Sequence, residues 1–197
     1  MDKFVTHRGL AVGIPLKDID TDLIIPAEFL TSTARGGYGA NLFRRLRDIG
    51  DDFPLNRPEL AGASILVADD NFGCGSSREH AVWALKEAGF SAVIAKSFAD
   101  IFRSNSSKNG LVLITLPTPQ VNFLLEQTTQ PGCVLEVNLE TEEVICPDNT
   151  RFEFKYDPFI RHCLLNGIDE LDFILESKEA IENYWQSREN RRFYRTI

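Results

Sequence analysis

SILVADDNFGCGSSREHAVWALKEAGFSAVIA, residues 64–95, decides the architecture. Ser64 to Ala68 is a short apolar run and reads as a buried strand. Ser77 to Ala88 reads as a helix that stops at Gly89, a favoured residue just past a helix C-terminus. Ala92 to Ala95 is a second apolar strand. Ser97 to Ser107 then reads as a helix and Leu111 to Thr115 as a third strand. Strands and helices alternating with short turns predict an α/β fold, a parallel or mixed sheet flanked by helices.

Towards the N-terminus, Val5 to Ile14 reads as an edge strand or hairpin. Lys17 to Pro26 places Asp18, Asp20 and Asp22 ahead of a short apolar run, which reads as a loop entering a strand or turn. Residues 31–39 are rich in Gly, Ser and Thr and read as a flexible loop. A short helix is expected over Ala40 to Asp48, and surface loop over residues 50–62. Towards the C-terminus, a helix is expected over residues 119–129. Cys133 to Leu139, Glu143 to Cys146 and Arg151 to Lys155 read as short antiparallel strands. From Asp157 the chain reads as helical, so the expectation is one domain over 1–197 with residues 157–197 as a helical extension. The tail helix from Ser177 keeps few apolar residues (Ile181, Tyr184, Trp185, Phe193), which suits a helix lying on a partner.

Hydrophobic residues make up 43% of the chain and charged residues 25%, ordinary values for a soluble protein. No apolar run approaches the roughly 18 residues of a membrane span. Met1 to Phe4 does not read as the start of a signal peptide, so a cytoplasmic location without membrane contact is expected. The net charge of −8 opposes nucleic-acid binding. It also repels anionic substrates unless a local cationic island overrides the mean field, which makes individual arginines informative. Cys74, Cys133, Cys146 and Cys163 are far apart and form no Cys-x-x-Cys. Metal sites usually draw ligands in close pairs, so no metal site is expected in this chain. Apart from Cys74, the cysteines read as small buried hydrophobes.

The densest chemical signal is Asp69-Asp70-Asn71-Phe72-Gly73-Cys74-Gly75-Ser76-Ser77-Arg78-Glu79-His80. It follows a strand and opens a helix. The glycines allow sharp turns, and a helix start offers unpaired N–H groups to an anion. Arg78 adds a planar fork suited to a carboxylate. A purely structural reading also fits, because Ser76-x-x-Glu79 matches a capping box. Cys74 as a thiolate with His80 as its base is a further alternative. A dinucleotide fingerprint would need glycine at Arg78, and the P-loop and nucleophile-elbow patterns are absent.

NFGCGSSREHA, residues 71–81, resembles the small-domain signature of the aconitase superfamily. DIDTDLIIPAEFL (18–30), AVIAKSFADIFRSNSSKNGLVLI (92–114) and RHCLLNGIDELDFIL (161–175) resemble, in order and spacing, the isopropylmalate dehydratase small-subunit family. The resemblance covers nearly the whole chain. It implies a swivelling β/β/α domain and a hydro-lyase that interconverts 2-isopropylmalate and 3-isopropylmalate through 2-isopropylmaleate in leucine biosynthesis. It further implies that a [4Fe–4S] cluster on a large subunit binds the departing hydroxyl, while this chain holds no cofactor. A heterodimer or larger assembly with that subunit follows.

By the same resemblance, Ser76 is the base that removes a proton from carbon, and Ser77 and Arg78 grip a carboxylate of a small dicarboxylate substrate. Thr21 and Asp22 match a Thr-Asp pair that reaches the active site. Ile25 stands where related proteins carry a serine, which fits a substrate with an isopropyl group; a core isoleucine is the ordinary alternative. Arg35 lies near a carboxylate-binding arginine of the family. Ser97 to Asn109 reads chiefly as packing, with Asn105 as a capping or loop-anchoring group, and His162 as structural. Two alternatives stay open: a related homoaconitase or methylmalate-type (citraconate-type) small subunit, and a non-catalytic anion-binding module.

Overall fold

Four apolar segments need cover on both faces, and they obtain it by lying side by side. The computed structural model describes residues 1–31 and 36–193. Its strands β1 (Thr6–Ile14), β2 (Ile65–Ala68), β3 (Ala92–Ala95) and β4 (Val112–Thr115) run parallel. Strands β5 (Val134–Asn138), β6 (Glu143–Ile145) and β7 (Arg151–Glu153) continue the sheet antiparallel, in the order β4-β3-β2-β1-β5-β6-β7. The mixed sheet flanked by helices is the expected fold class.

Every residue of β2 and β3 is buried, as parallel strands covered on both faces require. Leu66, Ala68, Val93 and Ala95 face one core layer. That layer is covered by α3 (Glu79–Glu87) through Ala81, Val82, Ala84 and Leu85, and by α4 (Asp100–Lys108) through Phe102. Ile65, Val67, Ala92, Ile94, Val112 and Ile114 face the other layer. Helix α5 (Thr118–Gln127) covers it with Val121 and Leu124, and α6 (Pro158–Asn166) adds Leu164. Each such large apolar side chain contributes about 1.5–3 kcal/mol on burial.

Local chemistry sets the helix ends. Asp157 caps α6 by accepting from the Phe159 and Ile160 N–H groups, and Gly167 ends it in the left-handed region at φ 72°. Helix α7 (Glu170–Glu176) opens with a reciprocal capping box between Asp169 and Asp172. It is followed by α8 (Lys178–Phe193). Leu171, Ile174, Leu175, Ile181, Tyr184 and Trp185 of these two helices are exposed.

Three expectations change. The first strand is not an edge strand or hairpin. It sits in mid-sheet, its early residues paired with β5 and its later ones with β2. Residues 18–26 do not lead into a strand; Thr21–Ile24 form one helical turn, α1, because the Asp20 carboxylate accepts the Leu23 N–H at 2.7 Å. The helices expected from Ser77 and Ser97 begin later, at Glu79 and Asp100.

Gly73 is the tightest turn near the sheet. Its φ is 77°, and a Cβ there would stand 2.2 Å from Cγ of Phe102. Gly89 is equally left-handed at φ 98° but faces open space. Gly73→Ala is expected to cost about 2–5 kcal/mol, strain plus overpacking, and Gly89→Ala about 1–2 kcal/mol, strain alone. Urea unfolding of both variants measures this; equal losses would show that the Phe102 ring yields freely.

Candidate active site

The segment from Asp69 to Arg78 leaves the C-terminal end of β2, where open α/β sheets place their ligands. It is pinned on both sides by backbone bonds. The Phe72 N–H donates to the Ser97 carbonyl at 3.1 Å, and the Ala99 N–H donates to the Phe72 carbonyl at 3.1 Å. On the other side, the Gly73 N–H donates to the Ile19 carbonyl at 2.7 Å and the Thr21 N–H to the Cys74 carbonyl at 2.9 Å. Phe72 anchors the loop from below, edge-on to Phe98 and Phe102. Side chains repeat the pattern. Lys96 pairs with Asp69 at 2.6 Å, and the Ser97 hydroxyl donates to Asp70 at 2.5 Å and accepts the Asn71 N–H at 2.9 Å. Asn71 in turn donates to Asp18 at 2.7 Å.

Ser76 and Ser77 emerge from this frame exposed, with Arg78 half-buried beside them. The capping box expected between Ser76 and Glu79 does not form. The Ser76 carbonyl, which a longer helix would use internally, accepts the Thr21 hydroxyl at 2.9 Å. Residues 77 and 78 stay outside the helix, and Arg78 occupies the cap position with extended backbone and no side-chain cap bond. The Glu79 carboxylate instead accepts from Asn109 at 2.8 Å, which also receives the Trp83 indole N–H at 2.9 Å. Among the described residues the Ser76 hydroxyl has no hydrogen-bond partner, so capping does not compete for its lone pairs.

Asp22 lies in α1 and bonds to two arginines. Arg78 and Arg45 each pair with one of its oxygens, and the Ala27 N–H donates to it at 3.1 Å. The Arg78 hydrogen bond is the main cause that holds its carboxyl below the usual aspartate range, against a partial opposing effect of burial. Arg45 belongs to α2 (Arg44–Arg47). Thus Thr21, Asp22, Ser76, Ser77 and Arg78 come together as one cluster. Arg78 is not a free fork; it reaches the cluster already shared with Asp22.

Ile25 has no exposed surface and lies in the same core cluster as Leu42 and Phe43, as the ordinary alternative of a core isoleucine has it. Arg35 lies outside the described residues. Burial, with Asp20 and Asp18 nearby, pushes the Cys74 thiol up, which disfavours a thiolate there. His80 instead packs edge-on against Trp83 and Tyr38 at 4.7 and 5.2 Å between centroids. Asn109, not Asn105, is the side chain that anchors the helices, through Glu79 and Trp83. Arg45, Asn109 and the buried Tyr38 are the residues that sequence reasoning missed. The arginine-rich Arg44-Arg45-Leu46-Arg47 was the available signal for the first.

A metal cluster does not fit this chain's own donors. Among the described residues no group of three or more His, Cys, Asp or Glu could hold a metal ion. Burial pushes the Cys133 thiol up and the Cys146 thiol to about 11, away from the thiolate that ligation needs.

The family model described as the aconitase C-terminal domain matches residues 1–119. The 3-isopropylmalate dehydratase small subunit of Chloroflexus aurantiacus is 49% identical, over 93% of this chain and 94% of that protein. The protein of the same name from Hahella chejuensis is 47% identical, over 95% and 94%. A crystal structure of 3-isopropylmalate dehydratase from Methanocaldococcus jannaschii is 31% identical, with a TM-score of 0.66, and covers 91% of this chain and 98% of that one. Identity of this extent, end to end and with the same sheet architecture, means that the chain belongs to the 3-isopropylmalate dehydratase small-subunit family of the aconitase superfamily.

Proposed function

We propose that this chain is the proton-handling half of a 3-isopropylmalate dehydratase, a hydro-lyase of leucine biosynthesis that works only with a large subunit. The single observation that carries the reading is the Ser76 hydroxyl, exposed and without a hydrogen-bond partner among the described residues, at the end of a loop pinned on both sides. Ser76 removes the proton from the substrate carbon during dehydration and returns it during hydration. A serine hydroxyl is a very weak acid, so its anion needs positive charge and N–H donors close by. Arg78, two residues on and held by Asp22, is the cation in place for that. Ser77 and Arg78 bind a substrate carboxylate, and Arg35 joins them from its loop. Thr21 and Asp22 act as positioning residues, one on the Ser76 backbone and one on the Arg78 guanidinium.

The [4Fe–4S] cluster of the family finds no fitting ligand set here, so it is assigned to the large subunit and no step is routed through it. The exposed apolar residues of α7 and α8 support a second polypeptide as cover. Among the described residues no helix is long and apolar enough to cross a membrane, and we read the complex as cytoplasmic.

Co-expression with a candidate large subunit tests the assignment. Ser76→Ala is expected to lower isomerisation of 2-isopropylmalate by about 10²–10⁴-fold with assembly intact. Activity within a few-fold of the unaltered enzyme would remove Ser76 as the base. Rates on a series of 2-alkylmalates then set the substrate range. A preference for a substrate without the isopropyl branch would redirect the assignment to a sister hydro-lyase.

Asp22 gives a test that needs no partner. Its folded pKa is depressed, so its stabilising contribution is full above the unfolded value and disappears as pH falls through the folded one. Asp22→Asn is therefore expected to be less stable than the unaltered chain at pH 7, with the gap closing as the pH drops below about 4. Denaturant unfolding at pH 7 and pH 3 reads it out; a gap independent of pH would mean that the arginines do not bind Asp22 in solution.

A further inference from the structure

A second cationic notch lies at the open edge of β4, away from the Ser76 loop. It is a shallow recess between α4, β4 and the start of α6. Val112 and Leu116 donate their N–H groups towards β3, to the Ser91 and Ala95 carbonyls, so the alternate N–H and C=O groups of Leu113 and Thr115 face the open edge. The Tyr156 hydroxyl accepts the Leu113 N–H at 3.3 Å. Thr115 is the next outward residue, and its side-chain oxygen accepts from Arg103 at 3.2 Å. The Arg103 guanidinium is held over the Phe98 ring at 5.4 Å, and Lys155 adds a second positive charge to the lining. Asp157, the carboxylate at the rim, spends one oxygen, Oδ1, on the cap of α6.

The chemistry of the notch is therefore one-sided. Burial pushes the Tyr156 phenol up to about 12, so at neutral pH its O–H is a donor, and its oxygen already receives a bond. The Thr115 hydroxyl likewise accepts one bond and keeps its proton to donate. Two cations face one carboxylate in a chain whose net charge is −8. A local positive surplus, with the Tyr156 and Thr115 hydroxyls left to donate, selects a small anion. Leu113 and Ile160 form the apolar part of the wall.

We propose that this notch binds a small oxyanion, a phosphate or carboxylate group, between Arg103, Lys155, Thr115 and Tyr156. The site is separate from the one that binds substrate and does not depend on that reading. Isothermal titration calorimetry of the full chain at constant ionic strength tests it, with inorganic phosphate in one arm and acetate in the other. Saturable binding of either anion is expected, weakened about tenfold or more by Arg103→Gln and several-fold by Tyr156→Phe. Arg8→Gln, at an exposed arginine of β1 outside both sites, should leave it unchanged. The anion that binds more tightly identifies the headgroup. If Arg103→Gln fails to fold, Tyr156→Phe, which keeps the ring, carries the test. No saturable heat with either anion would overturn the proposal. So would binding indifferent to both notch substitutions, or binding lost in Arg78→Gln, since the anion would then sit on the Ser76 loop.

Discussion

The Ser76 carbonyl accepts the hydroxyl of Thr21, and the rest of the site depends on that bond. In a helix that carbonyl would take the N–H four residues on. Residues 76–78 form a short ledge ahead of α3, which begins at Glu79 behind an extended Arg78. The same bond ties the ledge to α1, which carries Asp22. One hydroxyl thus joins the segment that carries the two serines and Arg78 to the helical turn that carries Asp22. The backbone bonds from Thr21 to Cys74 and from Gly73 to Ile19 hold the segments in register, and Phe72, clasped by Phe98 and Phe102, stops the loop from lifting off the sheet.

Charge is arranged around this frame in an order that composition hides. Asp18, Asp20, Asp69 and Asp70 crowd the base of the loop, an unfavourable bed for an anion. Each is engaged: Asp69 by Lys96, Asp70 by Ser97, Asp18 by Asn71, Asp20 by the start of α1. The cations Arg45 and Arg78 meet at Asp22, further along the ledge. A carboxylate shared by two guanidiniums leaves a net positive charge there. It also holds both side chains in place before any ligand arrives, which reduces the ordering cost of binding. The exposure of this ion-paired cluster means that closing a second surface over it would strengthen each interaction by excluding water.

Much of this was legible in the sequence because it rests on local rules. Apolar tetrads spaced by helices announce a parallel sheet, and two glycines among polar residues announce a turn that carries chemistry. What was not legible depends on distant partners. Ser76 and Glu79 fit a capping box by spacing, but Asn109, distant in sequence, takes the Glu79 carboxylate, and Arg78 instead of Ser76 holds the cap position. Ile25 sits within a motif of active-site residues, and only the three-dimensional core reveals that its side chain turns inward. Arg45 belongs to a helical turn with no visible tie to Asp22 until the chain folds back. The first strand misled for a related reason. Its outer half, Thr6-His7-Arg8, is polar like an edge strand, and its burial alternates between exposed and half-buried residues.

That first strand has a consequence for how the molecule is made. Thr6 to Leu10 pair with Val134 to Asn138, whereas Ala11 to Ile14 pair with Ile65 to Ala68. A ribosome releases the second set of partners about seventy residues before the first. The inner half of β1 can zip onto the nascent parallel sheet early, while its outer half waits as an unsatisfied ribbon for β5 to emerge. The oldest part of the polypeptide is thus among the last to settle. During that interval its bare amide edge is the place where a growing chain would most readily pair with the wrong neighbour.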